Sequence, residues 1–160
     1  MNRPELLTHI RETLSNAGFY VSDLYSIRPV GFDLVARRDN SLLIIKVLTN
    51  IDSMTEKLSE ELRTLSILLQ ACPIIIGQKS GIKNLEDDVV YDRFGIQTIT
   101  PTTLSDHLLE GIPLEIYAGP GGLYAKLDNE KIAKLRQEQN YSIGSFARVQ
   151  TAANTSLVNL

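Results

Sequence analysis

Cysteine is nearly absent. Cys72 alone cannot form an internal disulfide, so a small core stapled by bridges is excluded. Its place beside Pro73, at the mouth of an apolar stretch, marks it as core filler, and a reducing cytoplasm is the expected compartment. Long apolar runs are missing too: stretches such as 42–45 and 74–76 fall far short of the roughly 20 residues a membrane span requires, and no membrane partner is expected. Met1-Asn2-Arg3-Pro4-Glu5 leads into a charged amphipathic stretch, which predicts no secretory leader. Histidine is scarce, with His9 and His107 only. Neither has a second His or Cys at ligand spacing, so both read as surface residues rather than metal ligands or bases. Gly119-Pro120-Gly121-Gly122 lacks the Lys-Ser/Thr ending and the following helix of a phosphate loop, and reads as a hairpin turn between 114–118 and 123–127. No low-complexity or disordered composition is present.

What remains is globular. With 43% hydrophobic residues in 160, the chain can bury a core and fits one domain of about 125 residues plus a small second one. The boundaries read as 1–127 and 128–160.

In the first part, Asn2 caps a helix with Pro4 in its first turn, running to about Asn16 on Leu6, Leu7, Ile10 and Leu14, with Gly18 closing it. Residues 19–27 and 32–38 read as strands, Asp39-Asn40-Ser41 as a tight hairpin turn, and 42–48 as an almost wholly apolar strand of the kind buried on both faces. Ser53 with Glu56 forms a capping-box pattern for a helix whose apolar repeat is Met54, Leu58, Leu62, Leu65, Leu68 and Leu69. Strands are expected at 72–77, 89–91 and 95–99, a polar loop at 79–88, and a helix from Thr100-Pro101 through Leu104, Leu108 and Leu109 to Gly111. Helix, three strands, helix, strand predicts an α/β domain with a mixed sheet.

Lys46 interrupts the most apolar strand, and a lysine there must reach a partner or a cleft. Asp33, on the neighbouring strand, is the expected partner. A helix, a hairpin bearing Asp, a strand bearing Lys, a helix and a strand resemble the PD-(D/E)xK restriction-endonuclease-like fold, the motif standing here as Asp33 followed by Ile44-Ile45-Lys46. The resemblance implies a divalent-metal site in active members, where the position two before the lysine is acidic. Here it is Ile44, and one carboxylate is a poor start for a hard cation; Glu5 or Glu12 on the first helix would have to supply another. Asp33 and Lys46 are therefore expected to form a vestigial, non-catalytic pair, with no metal and no cofactor.

In the second part, Ile132 and Leu135 share one helical face while Lys131, Lys134, Arg136 and Glu138 look outward, giving a helix over about 129–139. Asn140 stops it, Ser142 caps a second helix through Phe146, Ala147 and Val149, and 151–153 link to a third helix carrying Leu157 and Leu160 inward. Ile132, Leu135, Arg136, Ser142, Phe146, Ala147, Ala152 and Leu157 resemble the core of the λ-repressor and Cro type of helix-turn-helix. Thr151 in place of the turn glycine, Ile143 opening the second helix and Ala153-Asn154 opening the third depart from that pattern. The resemblance implies that the third helix enters the major groove, so Ser142, Ile143, Asn154, Thr155, Ser156 and Asn159 are the expected DNA contacts. Charge adds modest support: from 128 onward Lys131, Lys134, Arg136 and Arg148 face Asp128, Glu130 and Glu138, a net of +1, against −3 for the whole chain.

Together the halves resemble a family of archaeal HTH-type transcriptional regulators, through Gly31-Phe32-Asp33-Leu34-Val35, Ile45-Lys46-Val47, Asn50-Ile51-Asp52, Gly111-Ile112-Pro113 and Pro120-Gly121-Gly122-Leu123-Tyr124. Membership implies a non-enzymatic, DNA-binding transcriptional regulator acting on double-stranded DNA, expected as a homodimer, with the α/β domain dimerising, holding DNA or sensing a ligand. The competing expectations are a metal-dependent endonuclease targeted by the helix-turn-helix, and a protein-interaction module. A repressor-type domain needs further helices to close its core, so 128–160 is expected to be the truncated front of a reading head.

Overall fold

The computed structural model describes residues 1–22 and 31–125. Their helices are α1 (Arg3–Asn16), α2 (Glu56–Leu69) and α3 (Pro101–Leu109), with a short 3-10 turn at Ile51–Ser53. Their strands are β1 (Tyr20–Val21), β2 (Leu34–Arg38), β3 (Ser41–Asn50), β4 (Cys72–Ser80), β5 (Lys83–Asn84), β6 (Val89–Arg93), β7 (Ile96–Ile99), β8 (Ile116–Gly119) and β9 (Gly122–Ala125). The sheet runs β1-β2-β3-β4-β7-β6-β8-β9, with β5 paired to β4. β3, β4 and β7 are mutually parallel and central, while β2–β3, β6–β7 and β8–β9 are antiparallel. This is the mixed α/β sheet the element order predicts.

Central strands need apolar residues on both faces, and β3 and β4 have them. Leu43, Ile45, Val47, Ile74 and Ile76 join the α1 and α3 side chains in one core; Ile44 and Ile75 join Ile51, Met54, Leu62 and Ile96 in a second. Among the described residues no helix is long and apolar enough to cross a membrane.

α1 starts as its sequence dictates: Asn2 Oδ1 accepts from Glu5 N at 2.9 Å and Glu5 Oε2 accepts from Asn2 N at 3.2 Å, a reciprocal capping box. α2 starts later than the sequence suggests. Thr55, not Ser53, is its cap, accepting from Leu58 N at 3.2 Å. Ser53 Oγ instead donates to Asn50 O at 2.7 Å within the 3-10 turn. The cause is Met54, which adopts an extended backbone and buries its side chain in the second core, so no helix can run through it.

The buried face of α2 also differs from its leucine stripe. Ser59, Leu62 and Ser66 are buried, Leu58 and Leu65 half-buried, and Ile67, Leu68 and Leu69 exposed. Ser59 and Ser66 donate to Glu56 O and Leu62 O at 2.6 and 2.7 Å. Their hydroxyls are thus satisfied within the helix, which lets two serines occupy its buried face. The 79–88 stretch is not all loop, because β4 continues to Ser80 and returns as β5. The 119–122 turn is a hairpin as expected, with Gly119 paired to Gly122 and Gly121 at φ +87°, a conformation favouring glycine.

Candidate functional site

Antiparallel register fixes the acid and the lysine side by side. Leu34 pairs with Ile45 and Asp33 N donates to Ile45 O at 2.8 Å, which sets Asp33 across from Lys46. Lys46 Nζ lies 3.6 Å from Asp33 Oδ2, the two side chains being 13% and 10% exposed. Asp33 Oδ2 also accepts from Val47 N at 2.7 Å. The sequence gives no sign of the third participant: Arg3, in the first turn of α1, donates through Nη2 to Asp33 Oδ1. Both carboxylate oxygens are therefore engaged, by two cations and one backbone N–H.

Ile44, two positions before the lysine, is fully buried in the second core, between Val35 and Pro73. Glu5 is committed to its helix cap and Glu12 is exposed. Among the described residues no group of three or more His, Cys, Asp or Glu is placed to hold a metal ion. A divalent cation at Asp33 would meet one carboxylate and the charges of Arg3 and Lys46, so this donor set does not fit it.

Elsewhere the carboxylates crowd. Asp87 and Asp88 lie beside the first turn of α3, where Thr100 Oγ1 donates to Asp87 Oδ1 at 2.5 Å and Asp88 N donates to Thr103 Oγ1 at 2.8 Å, and Asp106 of the same helix faces Asp88. Burial, then hydrogen bonding to and repulsion from Asp106, then repulsion from Asp87 hold the Asp88 carboxyl above its ordinary value of 3.8. A raised acid pKa means that ionised Asp88 destabilises the fold, a penalty relieved as pH falls through that raised value towards 3.8. Asp88→Asn is thus expected to raise Tm by roughly 1–3 °C near pH 7 for an exposed like-charge contact. The pH-dependent part of that gain should shrink on acidification; thermal melts across pH 3–8 check it, and a gain independent of pH would assign it instead to the Asp88 backbone, which sits at φ +60°.

His107 Nδ1 lies 2.9 Å from Ile112 O, a structural contact at the end of α3. His9 is half-buried on α1. The expected DNA contacts Ser142, Ile143, Asn154, Thr155, Ser156 and Asn159 lie outside the described residues, as does the whole 128–160 segment.

Residues 3–114 match the model of the PD-(D/E)XK superfamily domain. The curated proteins to which the chain is similar include three archaeal ones, each bearing the name "Putative HTH-type transcriptional regulatory protein". That of Methanocella arvoryzae is 42% identical over 92% of this chain and 45% of its own length. That of Haloarcula marismortui is 40% identical over 92% and 46%, and that of Archaeoglobus fulgidus 41% over 90% and 47%. The chain spans just under half the length of these relatives. Its central β2–β3 hairpin with Asp33 facing Lys46, and a match that covers most of its length, lead to one conclusion: the chain belongs to the PD-(D/E)XK superfamily.

Proposed function

We propose that this protein is a DNA-binding transcriptional regulator in which residues 128–160 carry the start of a helix-turn-helix and residues 1–127 form a nuclease-like domain that does not cut DNA. The names of its relatives support DNA-binding regulation. The observation carrying the non-enzymatic part is the state of Asp33, whose carboxylate is taken up by Arg3, Lys46 and the Val47 N–H while Ile44 stands at the second ligand position. A metal-dependent nuclease concentrates oxygen ligands where water and phosphate can reach them; here the same position carries an internal ion pair. The protein acts as a homodimer on duplex DNA, each protomer presenting Asn154, Thr155, Ser156 and Asn159 to the major groove and Ser142 and Ile143 beside it, and it works in the cytoplasm.

Incubating the chain with duplex DNA and Mg²⁺ or Mn²⁺ tests this. The expected result is a gel shift without cleavage, weakening roughly 10- to 100-fold between 50 and 200 mM salt, as two to four phosphate contacts dictate. Cleavage that Asp33→Ala abolishes would establish the endonuclease reading instead. No shift at any salt concentration would leave a protein-interaction module.

A further inference from the structure

β4 outruns its neighbours. Its pairing with β7 ends at Ile76 and its pairing with β3 at Lys79, so the chain from Ser80 projects beyond the sheet at the carboxyl end of the parallel strands. It returns as β5 through a two-residue turn, with Ser80 paired to Lys83 and Lys79 to Asn84. Gly81 stands at φ +60°, the conformation such tight hairpin turns ask of glycine. Leu85 N donates to Gln78 O at 2.9 Å and closes the base of the hairpin.

This projection is braced. Asn50 Nδ2 donates to Gly81 O at 3.3 Å, and Asp52 Oδ1 accepts from Ser80 Oγ at 2.9 Å and from Arg93 Nη2 at 2.8 Å. Asn50 and Asp52 thus tie the turn to the end of β3 and, through Arg93, to β6.

The braced tip presents one apolar and two cationic side chains. Ile82 is 103% exposed, against 85% for Tyr20, the next large apolar side chain among the described residues. Lys79 and Lys83 flank it, both exposed, and among the described residues neither side chain has an ion-pair or hydrogen-bond partner. Strand alternation puts them on opposite faces of the ribbon, because Lys83 pairs with Ser80, one position along from Lys79. Asp52 is neutralised by Arg93. The acidic run 86–88 follows the base of the hairpin rather than its tip, and Asp87 accepts from Thr100 at the head of α3.

A two-stranded ribbon with a cation on each face fits a groove of duplex DNA, one lysine for each phosphate wall. A lone apolar side chain at such a tip is what minor-groove binders push between base steps. A lipid surface matches less well, since membrane affinity scales with buried apolar area and one isoleucine supplies little. We propose that the β4–β5 hairpin is a DNA contact of the nuclease-like domain. Lys79 and Lys83 neutralise phosphates on either side of the minor groove, while Ile82 enters it as a wedge and bends the duplex. This rests on the DNA-binding reading above and adds a second contact to it.

The full chain and its Lys79→Ala, Lys83→Ala and Ile82→Ser variants are titrated with a duplex of roughly 30 base pairs, labelled at both ends, between about 50 and 200 mM salt. Each lysine variant should weaken binding about 5- to 10-fold at 100 mM salt and lower the slope of log affinity against log salt by about 0.9. Ile82→Ser should keep that slope but straighten the bound duplex, lowering the end-to-end energy transfer that a bend of about 20–90° gives the parent complex. Because all three side chains are exposed, the variants should melt with the parent. If the parent binds DNA, lysine variants that keep its affinity and slope, or an Ile82→Ser complex as bent as its own, overturn the proposal and leave the DNA-binding reading standing. A parent that binds no DNA overturns both. Binding to anionic phospholipid vesicles in its place, lost in the lysine variants, would assign the hairpin to a membrane surface.

Discussion

Asp33→Ala is expected to cost the fold about 3–5 kcal/mol, the range for stranding one partner of a buried ion pair. With the carboxylate gone, the Lys46 side chain, 13% exposed, loses its ion-pair partner, and Arg3 loses the same one. The Val47 N–H loses its acceptor as well. Against the 5–15 kcal/mol typical of small domains, such a loss leaves a protein that melts far below the parent. Asp33→Asn should fall between the two, because its amide oxygen can still accept from Val47. The pair Asp33→Leu with Lys46→Met should recover the part of the loss due to the stranded charge, since an apolar pair of similar bulk leaves neither partner buried alone, but not the part due to the Val47 N–H, which still lacks its acceptor. Urea denaturation of the four proteins measures this. The sign matters for function: a carboxylate held ready for metal is commonly a burden on the unliganded fold, and its removal then stabilises. A gain in stability on Asp33→Ala would return the site to a metal-binding role.

Gly77→Ala should destabilise by about 1–3 kcal/mol, towards the upper end of the usual overpacking cost. A Cβ at Gly77 would come within 2.3 Å of Ile51 Cγ2 and 3.2 Å of Leu48 O. Leu48 O belongs to the β3 backbone, and Ile51 is held in the second core at 4% exposure. Neither can move without disturbing the sheet. If that contact is the cause, Gly77→Ala combined with Ile51→Ala should cost less than the sum of the two single changes, because the new methyl enters space the isoleucine vacates. Strict additivity in chemical denaturation would place the cost elsewhere.

Local chemistry made much of this fold legible. Asn2, Pro4 and Glu5 announce α1, and Thr100-Pro101 announces α3. The unbroken apolar run in β3, with one lysine, announces a central strand and its acidic partner. The misreadings have equally local causes. Ser53 and Glu56 satisfy the capping pattern, but the burial of Met54 overrides it. The leucine stripe of α2 lies to one side of its buried face because two serines whose hydroxyls are satisfied within the helix take buried positions beside Leu62. Arg3 reaches Asp33 across 30 residues of sequence, a relation no spacing rule contains.

The parallel centre of the sheet governs how this chain must fold. Hairpins can bring β2 to β3 and β6 to β7 early, but Leu43 meets Cys72 only after all of α2 has been passed, and Ile74 meets Gln97 only after β5 and β6. Loop-closure entropy is thus lost before the most buried contacts form, which places folding in milliseconds to seconds rather than microseconds. Until β4 docks between β3 and β7, its Ile74-Ile75-Ile76 run is an open apolar edge. That interval, rather than the finished structure, is when the chain is most exposed to self-association.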